Sequence, residues 1–535
     1  MKVLESYNKT TLFLLWAILI IQLLFLAYFV KFDLNEGWYS LYPSMIIDGK
    51  LPYKDFFYHR LPLLPYLFVP AFYVPFFYKL FSIRIINVIF ILCSYWIASK
   101  IASSITQSRW IRHIFLLLTI ASLYPNSFFI TAQSYAPFAM FLLIAIWLLK
   151  QFTISKNDYL YPILAGLVFN IALGVRFGPD PLIISVTLIS LLFILFDFER
   201  KKFKILLSSF LIFQLLIIFV CSSIDRNSFL WGVYVWPFKT LSYMEEAGVI
   251  FPQSGFKYLQ LKFKFILQLL KNYLPILITL LIGFSFSSVS LKKIIKNFEI
   301  NQSNYIWITS IIIIIIDYSF FLIPAFSGIM QFSYVFPLLC LMTCSLFVTY
   351  YKRKKDLLNK NFIYVFCIFI IFSGLIGDIK LSASFRNPGS DISIIGRLGK
   401  DIKKISNDDQ RLVTFSPILA VESNRKVYPG FEFEAYGFFP KWDRGKCEKY
   451  NLFNVDMLFE SINSTEDDLL IITNRFMNDS QGLGKIFIPY RDEIIKKVNN
   501  DYALSKTYEF ESFVGLGPVK IFKKSKTYDL NIKEN

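Results

Sequence analysis

Between Asp33 and Pro65 the chain reads DLNEGWYSLYPSMIIDGKLPYKDFFYHRLPLLP. Four carboxylates lie here, Asp33, Glu36, Asp48 and Asp55, with the cations Lys50, Lys54 and Arg60 and the imidazole of His59. A carboxylate in such a loop can serve as general base towards a hydroxyl group. Glu36 is flanked by Gly37, Trp38 and Tyr39. Aromatic rings of this kind stack on sugar faces, and they also populate membrane–water interfaces. Arg60 stands where a Pro-rich stretch begins, and a guanidinium suits a phosphate. The plain alternative is that Asp33 and Glu36 merely keep a loop hydrated. Farther along, Arg176 and Asp180 sit in GVRFGPDP, where Gly178, Pro179 and Pro181 indicate a tight turn. Arg176 either holds a lipid phosphate or snorkels from a helix end. Asp317 interrupts an isoleucine run, and an ionisable group inside an apolar stretch marks a pathway or a site by default. Gln331 and Tyr334 follow in QFSYVFP.

The elements that must position these residues are membrane helices. The chain has 535 residues, 55% of them hydrophobic and 18% charged, with 59 Phe and 31 Tyr. Its mean hydropathy is +0.51. A soluble globular domain is not built this way. Apolar runs long enough to cross a bilayer recur at Thr11–Val30, Ser82–Ile101, Ile111–Ile130, Ser134–Leu149, Tyr159–Val175, Pro181–Phe196, Phe203–Ile224, Phe265–Leu291, Tyr305–Ile323, Ile329–Tyr350 and Asn361–Gly377. That predicts about eleven spans. The stretch Leu61–Leu80 carries Pro62, Pro65, Pro70 and Pro75 and is expected to be re-entrant or interfacial.

The net charge of +18 invites nucleic acid, but the placement of the charges argues against it. Lys100, Arg109 and Arg112 form one basic loop, Arg200, Lys201, Lys202 and Lys204 another, Lys292, Lys293 and Lys296 a third, and Lys352, Arg353, Lys354 and Lys355 a fourth, with Lys150 and Lys156 a weaker fifth. With Leu61–Leu80 not crossing, all five fall on the side of the N-terminus, which the positive-inside rule makes cytoplasmic. The Asp33–Pro65 loop, the Asp225–Lys264 loop and the tail then face outward. Residues 1–378 are expected to form the membrane domain, with residues 32–65 its first outer loop. Residues 379–535 are expected to form an extracytoplasmic mixed α/β domain, with β-favouring runs at Arg411–Phe415, Leu469–Thr473 and Val519–Phe522. Six scattered Cys and two His set no disulfide framework and no His-rich metal site.

Several of these residues resemble a known pattern. Asn35-Glu36-Gly37-Trp38-Tyr39, Asp48 to Phe56, Arg60-Leu61-Pro62, Arg84 after Phe81-Ser-Ile, Gly166 to Arg176 and Gln331 to Pro337 are similar to motifs of the GT-C superfamily of integral-membrane glycosyltransferases. The nearest set is the polyprenyl-phosphate-sugar-dependent group that holds the protein mannosyltransferases and the lipid A aminoarabinose transferases. The resemblance implies an all-α polytopic membrane domain with an amphipathic first outer loop, joined to the α/β tail. It implies transfer of a sugar from a polyprenyl-phosphate donor to a hydroxyl of a glycan, lipid or protein acceptor, with inversion, at the outer leaflet of the plasma (inner) membrane. Asn35 stands where the family usually has an acid. Glu36 would then be the base, alone or with Asp33 or Asp55, while Arg60, Arg176, Tyr39, Asp317 and Tyr334 would bind substrate. The sequence names no cofactor; some members use a divalent ion, which these carboxylates could hold. Three rivals share the composition: a transporter or flippase of lipid-linked saccharides, a polysaccharide polymerase or ligase of another membrane fold, and a subunit that keeps the fold without catalysis.

Overall fold

The computed structural model describes residues 9–33, 35–74, 77–154, 159–176, 181–237, 305–322, 336–353, 391–463, 469–473, 482–508 and 519–524, with isolated helical positions between 239 and 276. The chain opens with α1 (Lys9–Phe29), 21 residues without an acid, or about 32 Å at the rise of an α-helix. The outer-loop sequence forms α2 (Asn35–Ile47), then an irregular stretch, then α3 (Leu63–Phe68) continued by a 3₁₀ turn over Val69–Tyr73. This last segment spans about 16 Å if wholly α-helical, half the thickness of a hydrocarbon core. It is too short to cross by itself.

Helices α4 (Lys79–Thr106), α5 (Ile111–Ala121), α6 (Leu123–Ile130), α7 (Tyr135–Ile154), α8 (Leu160–Arg176), α9 (Pro181–Leu195) and α10 (Arg200–Ile224) follow. A short α11 (Arg226–Leu230) comes next, then α12 (Tyr305–Leu322) and α13 (Phe336–Arg353). Among the described residues four helices are long and apolar enough to cross a bilayer: α1, α4, α7 and α10. The α5–α6 pair would be a fifth, but it is bent by 76°. The expected single span Ile111–Ile130 is thus broken. Pro125 lacks the N–H that would continue the ladder. Asn126 secures the bend, its Nδ2 donating to Thr119 O at 2.8 Å and its Oδ1 accepting from the Tyr95 hydroxyl at 2.5 Å. The expected spans Phe265–Leu291 and Asn361–Gly377 lie outside the described residues. Exposed side chains on α1 (Phe13, Ile21, Phe25) and α10 (Ile212, Leu215, Phe219) are apolar, as a lipid-facing surface requires.

The helix ends sort by charge. The ends near Phe29, Lys79, Ile130, Tyr135 and Arg176 meet: Arg84 bonds the carbonyls of Ala27 and Val30 and the Glu36 carboxylate, the Ala132 amide bonds the same carboxylate, and Arg176 stands over Tyr135. The basic loops carrying Arg109, Arg112 and Arg200–Lys204 follow the opposite ends of α4 and α9.

The C-terminal part is α/β. Helix α14 (Asp391–Ile405) precedes β1 (Arg411–Thr414), α15 (Pro417–Ser423), β2 (Lys426–Val427) and a 3₁₀ segment over Phe431–Gly437. Then come α16 (Arg444–Lys449), α17 (Val455–Asn463), β3 (Leu469–Thr473), α18 (Arg491–Asp501), β4 (Tyr502–Tyr508) and β5 (Val519–Lys524). The strands form one five-stranded sheet in the order β2-β1-β3-β5-β4. It is parallel from β2 to β3 and antiparallel from β3 to β4. The three β-favouring runs each become a strand. Strand β4 is an edge strand whose middle residues are exposed, so it has no apolar run to betray it.

Helices α8 and α10 meet at Gly166. A Cβ there would lie 2.2 Å from Ser209 Oγ and 2.9 Å from the Phe210 amide nitrogen. Gly166→Val is therefore expected to push the two helices apart and destabilise the fold by about 1–3 kcal/mol. A thermal-unfolding scan in detergent checks this; an unchanged midpoint would mean the helices do not approach this closely.

Candidate active site

The site is built on a capping box. Asp33 stands two residues before the first residue of α2, and Glu36 is three residues on. The Asp33 amide donates to Glu36 Oε2 at 2.9 Å, and Asp33 Oδ1 accepts from the Asn35 amide at 2.8 Å. This is the reciprocal arrangement that an acid or hydroxyl followed by Glu at the third position encodes. The D-x-x-E spacing was thus a legible helix signal, which a reading in terms of catalysis alone passes over.

Glu36 is fully committed. It is completely buried, and so is Arg84 of α4. Arg84 Nε donates to Glu36 Oε1 at 2.9 Å and Arg84 Nη2 to Oε2 at 2.6 Å. The Ala132 amide donates to Oε1 at 2.6 Å. With the Asp33 amide, four donors saturate the carboxylate. Arg84 spends its remaining N–H groups on the carbonyls of Ala27, Val30 and Lys31. It therefore caps the C-terminal end of α1, where orphan carbonyls need donors. In this geometry Glu36 is an anchor, with every lone pair of its carboxylate occupied.

Asp33 differs. Its Oδ1 accepts from both the backbone and the side-chain nitrogen of Asn35, each at 2.8 Å, and Oδ2 has no protein partner among the described residues. Burial raises its pKa to about 6, helped by the charge of Glu36 and opposed by the Asn35 bonds and Arg84. Such a group is ionised at neutral pH yet basic enough to take a proton. The Asn35 side chain here donates a bond that a carboxylate could not.

The cations gather nearby. Arg60 stands over the Tyr39 ring at 5.4 Å, and its Nη1 donates to Ser134 Oγ at 3.1 Å. Its Nε donates to His59 Nε2 at 3.1 Å. Burial, together with the Arg60 charge, holds the His59 pKa well below its usual value, so the ring is neutral with its proton on Nδ1. His59 stacks on Trp38 at 4.9 Å. It orients Arg60, a role its lone position in the sequence did not announce. Arg176, the last residue of α8, stands over Tyr135 at 4.9 Å and Phe138 at 5.9 Å. Tyr39 lies within electrostatic reach of Arg60, Arg176 and Asp33, and so does Tyr135. Burial raises the Tyr39 pKa, and the two arginines oppose it.

The structure thus brings Asp33, Glu36, Tyr39, Arg60 and Arg176 together. Asp55 is not brought to the cluster: it is exposed, and its Oδ2 accepts from the Leu51 amide at 2.7 Å to close its own turn. Asp317 lies in α12, but its side chain, like Asp180, Gln331 and Tyr334, lies outside the described residues. The residues that sequence reasoning did not assign are Ala132 and Ser134, in the bend between α6 and α7, and Tyr135, which opens α7. The partnership of Arg84 with Glu36 was also unforeseen, although Arg84 itself was noted. A divalent ion needs several oxygen ligands. Among the described residues no group of three potential ligands converges, and at this cluster Glu36 has no oxygen to spare.

The C-terminal part closes over the cluster. Phe433 meets Trp38 at 4.2 Å and His59 at 5.0 Å, and Tyr436 stacks on Trp38 at 5.7 Å. Gly37 makes room for this: a Cβ there would lie 2.7 Å from Glu434 Oε1.

A scan of protein-family models finds no match, and no curated protein matches by sequence. The fold, however, is similar to solved structures. One is ArnT from Cupriavidus metallidurans bound to undecaprenyl phosphate, with TM-score 0.57 and 9% identity over 96% of this chain and 97% of that one. Its apo state gives 0.55 and 11% over 95% and 97%. The oligosaccharyltransferase of Archaeoglobus fulgidus, tethered to an acceptor peptide containing an NVT sequon, gives 0.50 and 11% over 98% and 75%. At such identities the likeness shows the fold, which is GT-C-like, and with the apolar helices it makes this a multi-pass membrane protein.

Two outcomes test the site. Glu36→Gln leaves Arg84 buried without its counter-charge and is expected to cost about 3–5 kcal/mol of stability, read as a lower unfolding temperature in detergent; wild-type stability would show that the pair does not form. Carbodiimide labelling of Asp33, which requires the protonated acid, should fall with rising pH about a midpoint near 6. Asn35→Asp removes a donor and adds like charge, so the midpoint should move up. A midpoint near 4 in both proteins would mean Asp33 is solvated.

Proposed function

We propose that this chain is a membrane glycosyltransferase that moves a sugar from a polyprenyl-phosphate donor to an acceptor hydroxyl, with Asp33 as general base. The observation that carries the reading is the pairing of a carboxylate oxygen with no protein partner among the described residues, on a group with pKa about 6, with two arginines around the same tyrosine. The ArnT fold match, whose structure holds undecaprenyl phosphate, supports a lipid-phosphate donor.

In this mechanism the acceptor hydroxyl gives its proton to Asp33 Oδ2. The oxygen attacks the anomeric carbon from the face opposite the phosphate. The carbon–oxygen bond to phosphate breaks, its electron pair leaves with the polyprenyl phosphate, and the anomeric centre inverts. Arg60 and Arg176 hold the phosphate and stabilise the charge it gains. Glu36 and Arg84 fix the base without touching substrate. Asp317 and Tyr334 are assigned to the substrate side on the sequence reading. In topology the chain has about eleven spans in the plasma membrane, with the N-terminus in the cytoplasm. The site and the C-terminal domain from residue 379 face outside, since the basic loops lie at the opposite helix ends.

Asp33→Asn should abolish transfer from a panel of labelled polyprenyl-phosphate sugars while donor binding persists. Wild-type activity should rise with pH through about 6, because the acid is active only when ionised. Retained transfer in the variant would remove Asp33 from the mechanism. Arg60→Ala or Arg176→Ala should weaken donor binding roughly 10- to 100-fold, the worth of a charge-assisted bond, with the acceptor KM little changed. Unaltered donor affinity would return both arginines to structural roles. A reporter fused after Asn535 should read outside the cytoplasm, and a cytoplasmic signal would overturn the topology.

A further inference from the structure

Three backbone N–H groups of the membrane part end on carboxylates of the C-terminal part. The Phe32 amide donates to Asp391 Oδ2 at 2.8 Å. The Leu80 amide donates to Glu422 Oε1 at 2.8 Å, and the Lys79 amide to Oε2 at 3.2 Å. Lys79 and Leu80 open α4, so their amides have no acceptor within the helix. A carboxylate at that position also meets the positive end of the helix dipole. These bonds join residues more than three hundred positions apart in sequence.

Their placement is specific. Phe32 directly precedes Asp33. Leu80 lies one turn before Arg84, whose guanidinium holds Glu36. The C-terminal part therefore grips the two segments whose relative position sets the base. Close packing supports the grip. A Cβ on Gly399 would lie 2.5 Å from the Glu422 Cβ, and one on Gly396 would overlap the Tyr78 ring at 2.1 Å. Lys400 Nζ stands over the same Tyr78 ring at 5.2 Å. Glycine at 396 and 399, on one face of α14, lets that helix settle against the entrance to α4 and the Glu422 side chain.

We infer that Asp391 and Glu422 are positioning residues: the C-terminal part sets the geometry of the base through hydrogen bonds to the membrane part's own backbone, and is needed for turnover rather than for donor capture. This inference rests on the reading of Asp33 as base. Asp391 touches no reacting atom; it acts through the Phe32 peptide. A shift of the base by about an ångström is enough to lose roughly 100-fold in rate.

The test uses the full chain in detergent with a labelled polyprenyl-phosphate sugar, alongside hydrogen–deuterium exchange. Asp391→Ala should lower kcat roughly 10- to 100-fold with donor KM unchanged, and should speed exchange in the peptide containing Phe32. Asp391→Asn, whose amide oxygen can accept the same N–H, should restore both. If Asp391→Ala does not fold, Glu422→Gln keeps one of two acceptors and should give a smaller loss of kcat with faster exchange at Lys79 and Leu80. Faster exchange with unchanged kcat would overturn the positioning role while leaving Asp33 as base. Loss of activity that Asp391→Asn fails to rescue would overturn the hydrogen bond as its cause. A wild-type protein inactive towards every donor, with exchange as expected, would strike the functional reading and this inference with it.

Discussion

The arrangement around Asp33 depends on the buried pair of Glu36 and Arg84. A buried ion pair is tolerated only when its remaining hydrogen-bonding capacity is met. Here the carboxylate receives four donors, and the guanidinium gives to Glu36 and to three carbonyls. That saturation joins the end of α1, the start of α2, the interior of α4 and the bend before α7 at one point. In a fully buried position, where water cannot compensate a broken bond, such a clasp fixes how three helices meet. It also leaves a neighbouring carboxylate, Asp33, held by its backbone on one side and by Asn35 on the other, with one oxygen that has no protein partner among the described residues.

Two carboxylates three residues apart are thereby given different work by their surroundings. One is spent on structure and the other is poised near neutrality, the separation that general acid–base chemistry requires. The aromatic residues serve a similar division. Trp38, His59, Phe433 and Tyr436 pack on one another and bind the C-terminal part to the loop, so their ring faces are occupied by protein. Tyr39 and Tyr135 instead carry the two arginines, with the cation–π attraction holding each guanidinium in place.

Much of the fold could be read from the sequence because hydropathy is additive along a helix. Nine of the eleven expected apolar runs meet a helix among the described residues, and the proline-rich stretch forms short helical turns. The bend at Pro125 escaped, since its flanks are apolar on both sides. The cluster was foreshadowed by residue type: Asp33, Tyr39, Arg60 and Arg176 lie near one another. Role was harder to read. Glu36 looked like the base because it stands in the motif, but its partner Arg84 is 48 residues away and its other donor is the amide of Ala132, and pairing at such distances leaves no local trace. The Asp33–Glu36 capping box was local and readable. Asp55 looked equivalent to Asp33 in sequence; exposure distinguishes them, and exposure is a property of the fold.

The most direct test of the account is a structure of the protein with a non-cleavable polyprenyl-phosphonate sugar. The account predicts the phosphonate on Arg60 and Arg176, Asp33 Oδ2 on the face of the anomeric carbon away from it, and Glu36 still clasped to Arg84. A phosphonate held elsewhere, or a sugar approached by Glu36 with Arg84 released, would contradict it.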